Sequence, residues 1–440
     1  MKREIIDVLK EKLADATTAP VPKLTRREIR LPQVPHKAIA VIGIRRCGKT
    51  CFLWQCLGDL QASGAPRESL VLLNFEDERL AGIDASALTW LLEEYYRMFP
   101  HFRENREVVF FLDEIQVVPG WERFARRILD SERVRLFLSG SSAAMLSREV
   151  ATSMRGRAME TRVYPFSFRE FLLHRGELPE PAWKRLPKAQ KSTVEKAFRS
   201  YLTEGGFPEA QDAGSRDRRA LLGGYVDVAI LRDVIERHKV TNSTALRWLQ
   251  RHLMASPAGS FSIQKFFDAL KSQGIPVSKD TLHAFLAHLE DAFLIRTTSL
   301  HTASERQRMV NPRKAYPIDP GLIPIYERTG RPNLGHALET AVLIELERRG
   351  CIVHYARIPG IGEIDFHVET PEGQCWLIQV CASAHDRVTW ERELRPLEAA
   401  NETIRSSRKI LLLLDPDRSG RKTPPDIEVL PAVSWFLDRQ

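Results

Sequence analysis

Apolar positions along this chain follow two periods, and the change from one to the other divides it. Between Ala38 and Tyr164 they come as short unbroken runs: AIAVIG at Ala38–Gly43, LVLLNF at Leu70–Phe75, VVFFL at Val108–Leu112, VRLFL at Val134–Leu138 and a shorter stretch near Glu160–Tyr164. Runs without alternation predict strands covered on both faces, and the helix-length sequence between them predicts parallel neighbours joined by crossover helices. Residues 176–240 read as mostly helical, with a break at Gly205–Pro208. Farther on, Ile263, Phe266, Phe267 and Leu270 fall on one helical face, and Leu282, Phe285, Leu286 and Leu289 on another. Gly274 and Pro276 turn between them, and the strand-like FLIRTTSL and RKAYPID follow. Two short helices and then two strands are the order of a winged helix, with Arg306, Arg308, Arg313 and Lys314 in or beside the wing. A last unit reads as helix (Ala337–Arg349), strands (Cys351–Tyr355, Ile364–Val368, Trp376–Val380), helix and strand (Lys409–Leu414). The N-terminal MKREIIDVLKEKLAD is amphipathic, and Pro20, Pro22, Pro32 and Pro35 make the basic stretch after it an extended arm, which could meet phosphate, a neighbouring subunit or nothing in particular.

Composition changes this picture little. With 440 residues, 43% hydrophobic and 28% charged, the chain is too long for one core and too polar for a membrane protein. No apolar run reaches membrane-spanning length, and the N-terminus has no apolar signal core, so a cytoplasmic protein is expected. A balance of 65 basic against 57 acidic residues, +8 overall, permits nucleic acid as a partner without requiring it. The six cysteines form no CxxC pair and no zinc spacing, which predicts free thiols in a reducing compartment.

Candidate chemistry begins where the first apolar run ends. Gly43-Ile44-Arg45-Arg46-Cys47-Gly48-Lys49-Thr50 satisfies GxxxxGK[ST], between a strand and a helix. The glycines let backbone amides approach phosphates at a helix N-terminus, Lys49 reaches the β and γ phosphates, and Thr50 binds magnesium. ATP and Mg2+ are the expected cofactors. Asp113 and Glu114 close the third apolar run; Asp113 is placed in the magnesium shell and Glu114 on the attacking water, although two carboxylates there could also merely cap a strand. Ser139, with Ser141 and Ser142 beyond it, is the candidate γ-phosphate sensor. Arg155 and Arg157 are candidate arginine fingers for a neighbour's γ-phosphate, which predicts a homo-oligomer, or else solvated surface.

GIRRCGKT, the strand ending LDEIQ, the segment GSSAAMLSREVATSMRGRAMETRVYPFSFREFL, LTEGGFPEA and KAYPIDPGL together resemble the prokaryotic AAA-type ATPases related to archaeal ATPases, in which the ATPase is fused to a C-terminal domain of unknown function. The similarity runs from about residue 37 to 415. It implies an ATP-binding AAA ATPase with a winged helix behind it, and it carries Lys49, Thr50, Asp113 and Glu114 over without departure. Cys47 falls at a variable loop position, which implies no catalytic role.

The last unit is similar to a restriction-endonuclease-like core, with Glu339 on a helix, Asp365 on a strand and Gln379-Val-Cys381 where an acidic residue and a lysine are expected. Gln379 and Cys381 reduce both the metal charge and the water partner, so a degenerate site kept for binding or assembly competes with a nuclease. The expected fold class is α/β: a P-loop NTPase parallel sheet with a helical lid, then a winged helix and a small endonuclease-like domain. The expected boundaries are an N-terminal helix and arm at 1–36, the ATPase at 37–175, the lid at 176–240, the winged helix at 241–325 and the endonuclease-like domain at 326–440. The expected function is ATP hydrolysis driving or switching a C-terminal module on DNA or RNA. The alternative is a slow nucleotide-dependent switch for a protein partner. The recognition helix Lys279–Glu290, with Lys279, Asp280, His283, His288 and Glu290 exposed, is not strongly basic.

Overall fold

A computed structural model describes residues 3–140, 154, 156–327, 333–400, 404–415 and 423–438. They fall into two compact units, Met1–Val163 and Tyr164–Gln440.

In the first unit the apolar runs become β1 (Ala38–Ile42), β2 (Leu70–Asn74), β3 (Val108–Asp113), β4 (Val134–Gly140) and β5 (Ala158–Arg162). All pairings are parallel, in the order β2-β3-β4-β1-β5. β1 and β3 are buried at every residue, because helices Lys49–Ala62, Ala85–Met98 and Trp121–Ser131 supply Leu53, Leu91, Tyr95, Phe124 and Ile128 to the core. Phe111 and Phe137 stack between β3 and β4 with centroids 4.6 Å apart, and each such side chain contributes roughly 1.5–3 kcal/mol by burial. β5 begins two residues before its expected start, because this edge strand is half-covered and its AMETR sequence carries no continuous apolar run. Parallel strands end on one side, so the chain after β1, β3 and β4 gathers Gly43, Glu114 and Gly140 at a single edge.

The N-terminal helix Arg3–Thr18 buries Leu9 and Leu13, and Lys12 pairs with Asp77 at 2.8 Å. The proline-rich arm is anchored: the Arg27 amide donates to Gln55 Oε1 at 2.6 Å, Gln55 returns a bond to the Arg27 carbonyl at 3.0 Å, and Arg26 pairs with Asp59 at 2.7 Å.

The second unit begins with helix Phe168–His174, started by a capping box of Ser167 and Glu170, and helix Lys188–Glu204. Their Phe168, Phe198 and Tyr201 join one core with Leu338 and Val342 of helix Leu334–Arg348, Phe366 and Trp435. Helices Ser243–Ala255, Ile263–Ser272 and Lys279–Asp291 accompany an antiparallel sheet of order β6-β8-β7, with β6 Ser260–Phe261, β7 Ile295–Thr298 and β8 Arg313–Pro317. A short helix, Glu305–Val310, lies between β7 and β8. The C-terminal sheet, order β13-β12-β11-β10-β9, contains β9 (Ile352–Ile358), β10 (Gly362–Glu369), β11 (Cys375–Cys381), β12 (Arg408–Leu413) and β13 (Glu428–Pro431). β13 and the helix Ala432–Leu437 after it carry no signal used above, being too short for a clear period. Its second face is covered by Trp390, Leu394 and Leu397 of helix Arg387–Ala399.

LTEGGFPEA and KAYPIDPGL clasp each other. The Asp319 carboxylate accepts from the Gly206 amide at 2.7 Å and the Gly321 amide at 2.9 Å. A Cβ on Gly206 would meet the Phe166 carbonyl at 2.2 Å, so glycine is required there by close approach. All six cysteines are free. No helix among the described residues is long and apolar enough to cross a membrane.

Candidate functional site

The loop after β1 turns at glycines for steric reasons. A Cβ on Gly43 would lie 2.1 Å from the Val163 carbonyl oxygen, and Gly48, at φ 98°, sits in the left-handed region as the cap of helix Lys49–Ala62. Ile44 and Cys47 are buried, and burial pushes the Cys47 thiol pKa up. Arg46 holds φ at 65° on the exposed side, and Arg45 lies 3.9 Å from Glu76. The buried Lys49 donates to the Gly43 and Ile44 carbonyls at 3.2 Å each. Arg27 donates to the Cys47 carbonyl at 2.8 Å, so the arm holds the loop from behind.

Asp113 joins this loop to the neighbouring strands. Its Oδ2 accepts from Thr50 Oγ1 at 2.7 Å and from Asn74 Nδ2 at 3.0 Å, and its Oδ1 accepts from the Ser139 hydroxyl. Burial raises the Asp113 pKa, and the Ser139 and Thr50 hydrogen bonds oppose that rise. Glu114 turns out of the strand at φ 52°, its amide donating to Ser139 Oγ at 3.1 Å and its carboxylate accepting from Gln116. Ser139 therefore bridges Asp113 and Glu114. Thr50 and Asp113 offer paired hard oxygens beside a helix N-terminus, the donor set that suits Mg2+. Asn74 escaped the sequence reading; its signal is a polar residue closing an apolar strand, registered opposite Asp113.

Arg157 pairs with Asp130 at 3.0 Å on the surface. Ser141, Ser142 and Arg155 lie outside the described residues.

In the second unit Glu339 and Asp365 come together around a residue that the sequence reading put in or beside the wing. The Lys314 ammonium, from β8, lies 2.8 Å from Glu363, 3.3 Å from Glu339 and 3.3 Å from Asp365, and its side chain is only 6% exposed. Lys314 stands on β8, and its burial keeps its charge off the surface. Tyr316 donates to Glu339 at 2.9 Å. Burial raises the pKa of Glu339 and, with the adjacent Glu339 charge, pushes Asp365 up to about 8; the three carboxylates hold Lys314 well above its ordinary value against desolvation. Gln379 faces elsewhere, accepting from the Asp365 amide at 3.3 Å and donating to Glu393 at 2.8 Å. Cys381 donates its thiol to the Ser383 carbonyl.

A family described as AAA domain matches residues 35–172, and one described as domain of unknown function (DUF8612) matches residues 195–330. The uncharacterized protein MJ1544 of Methanocaldococcus jannaschii is 31% identical over 426 residues, covering 94% of this chain and 91% of that protein. An uncharacterized protein of Haemophilus influenzae is 30% identical over 327 residues, covering 74% of this chain and 78% of its own. Among solved structures, the Walker-type ATPase paby2304 of Pyrococcus abyssi aligns at 15% identity and a TM-score of 0.39, over 74% of this chain and 95% of its own. Similarity running the length of both chains marks common descent, and the chain belongs to the same family as MJ1544, with an AAA domain of P-loop ATPase fold ahead of a separate C-terminal region.

Proposed function

We propose that this chain binds Mg-ATP, hydrolyses it, and uses the nucleotide state to switch a C-terminal module that works on or near nucleic acid. The observation that carries the reading is the Asp113 carboxylate held between Thr50 of the phosphate loop and Ser139 of β4. In this reading the loop amides and Lys49 hold the phosphates, while Thr50 and Asp113 hold Mg2+, which neutralises charge developing on the γ-phosphate. Glu114 orients the attacking water and takes its proton. Ser139 acts through Asp113 and Glu114, linking ion site to base, in place of touching the phosphate itself. Arg157 supports an oligomeric assembly: an exposed pair such as that with Asp130 is worth about 0–1 kcal/mol, so its guanidinium is cheaply released to a neighbour's nucleotide. Arg155 is a second candidate for that role.

Three helices and the β6-β8-β7 sheet support the winged-helix reading of 241–325. Its charge argues for modest nucleic-acid affinity, because Lys314 is buried, Arg308 pairs with Glu305 at 2.7 Å and Arg313 lies 3.8 Å from Glu290. The protein-partner switch has its own support: Met309 and Val310, between β7 and β8, are 82% and 73% exposed, an apolar tip where phosphate binding would favour basic residues. A nuclease has less support, since Lys314 rests on the carboxylates and Gln379 faces Glu393.

ATP turnover by the full chain, alone and with single-stranded DNA, double-stranded DNA or RNA, tests the proposal with Lys49→Ala as blank. Stimulation by one nucleic acid supports the module reading. Turnover indifferent to all three transfers the role to a protein partner, and turnover equal to the blank overturns the ATPase.

A further inference from the structure

The sheet of the second unit gathers soft metal ligands on one patch. His367 and Glu369 are two residues apart on β10 and share a face. Cys375 on β11 is registered opposite Glu369, and His354 on β9 opposite His367. The chain leaving β7 runs beside β9, the His301 amide donating to the Tyr355 carbonyl at 2.7 Å, and stacks the His301 ring on His367 with centroids 3.6 Å apart. Ligand atoms of His301, His367 and Glu369 lie within 4.8 Å of one another, and Cys375 Sγ is 3.2 Å from His367 Nε2. A cavity of about 520 Å³ opens on all four residues.

His367 is 3% exposed and turns its Nε2 to the Cys375 thiol, so one ring nitrogen already faces the cluster from inside the fold.

We propose that His301, His367, Glu369 and Cys375 form a zinc site of the structural type. Zinc bonds of about 2.0–2.3 Å put tetrahedral ligands roughly 3.3–3.8 Å apart, close to the separation of Cys375 and His367. Among His301, His367 and Glu369 the contraction, about 1 Å, falls mainly to the half-exposed His301 side chain, whose ring must splay from its stack so that both lone pairs converge, and Cys375, which meets His367 but lies outside that group of three, must also close on the other two. Binding replaces the Cys375 S–H bond with S–Zn and releases that proton to solvent; the thiolate and the Glu369 carboxylate then balance the ion's two charges. Imidazole and thiolate select zinc over magnesium, which distinguishes this site chemically from the hard oxygens of Thr50 and Asp113. The consequence is a metal tie between the segment after β7 and the β10–β11 hairpin.

The full chain, stripped with chelator, is titrated with Co2+ and then displaced by Zn2+. The expected result is one equivalent of four-coordinate Co2+ with a thiolate charge-transfer band. Cys375→Ser should abolish that band, and His301→Gln and Glu369→Gln should each weaken Zn2+ binding by roughly 100-fold. The two Gln variants change half-exposed or exposed side chains, so their melting in chelator reports that the fold is retained. A band that survives Cys375→Ser, or Zn2+ binding unchanged in both Gln variants, overturns the site and assigns the metal to other thiols.

Discussion

Asp113 and Asp365 are both buried strand carboxylates beside a buried lysine, yet the chain satisfies them in opposite ways. Asp113 is met by neutral donors, the Thr50 and Ser139 hydroxyls and the Asn74 amide, while Lys49 donates to backbone carbonyls. Asp365 is met by the Lys314 ammonium itself, shared with Glu339 and Glu363. A hydroxyl can be surrendered to an incoming ion without leaving a charge stranded; a buried ammonium cannot. The first centre can therefore exchange partners as the proposed Mg-ATP site requires, and the second is tied to its own chain's ammonium.

The largest effect belongs to the exchangeable centre. Glu114→Gln is expected to cut ATP turnover by roughly 10²–10⁴-fold with ATP binding retained, measured by phosphate release and nucleotide titration; undiminished turnover would remove Glu114 as the base. Next, Lys314→Met should destabilise the chain by about 3–5 kcal/mol because it leaves Glu339, Glu363 and Asp365 without their shared cation, whereas Lys49→Met should cost about 1 kcal/mol or less while weakening ATP binding. Denaturant midpoints of the two variants test this, and equal losses would erase the distinction between the lysines. A smaller effect separates the centres by pH. Asp365 has a folded pKa near 8, above the ordinary value of about 3.9, so its stabilising contribution is full below that ordinary value and is lost as pH rises toward 8. Relative to Asp365→Asn, the wild type should lose on the order of 1–2 kcal/mol between pH 5 and 8, allowing for coupling to Glu339 and Lys314; a wild type that gains stability over that window contradicts the assignment. The smallest change expected is about tenfold in turnover for Ser139→Ala, the worth of one hydrogen bond near 1–1.5 kcal/mol. Full loss of turnover on that substitution would mean that Ser139 touches the phosphate directly.

The two centres were not equally legible in the sequence. The GxxxxGK[ST] loop is contiguous, and Gly43, Gly48, Lys49 and Thr50 lie within eight residues whose spacing reflects local backbone geometry. Asp113 and Glu114 are marked by the apolar strand they terminate. Asn74 and Arg27 were missed because their partners are distant in sequence: Asn74 meets Asp113 through strand register, and Arg27 meets the Cys47 carbonyl through an arm whose prolines suggested only extension. The sequence reading grouped Glu339 with Asp365 but not with Lys314, because nothing local marks a lysine that enters a carboxylate cluster.

What the sequence by itself determined were the features encoded within a few residues: continuous apolar runs that make parallel strands, a glycine-bounded loop before a helix, and the capping and helical faces that follow. The tertiary structure alone decided the partners of the buried charges. That Thr50 meets Asp113, that Asp319 clasps Gly206, and that Lys314 enters a carboxylate cluster on a different sheet all depend on which distant strands become neighbours. The physical reason is that strand formation needs only local periodicity, whereas a buried charge takes whichever partner the packed fold brings within about 3 Å.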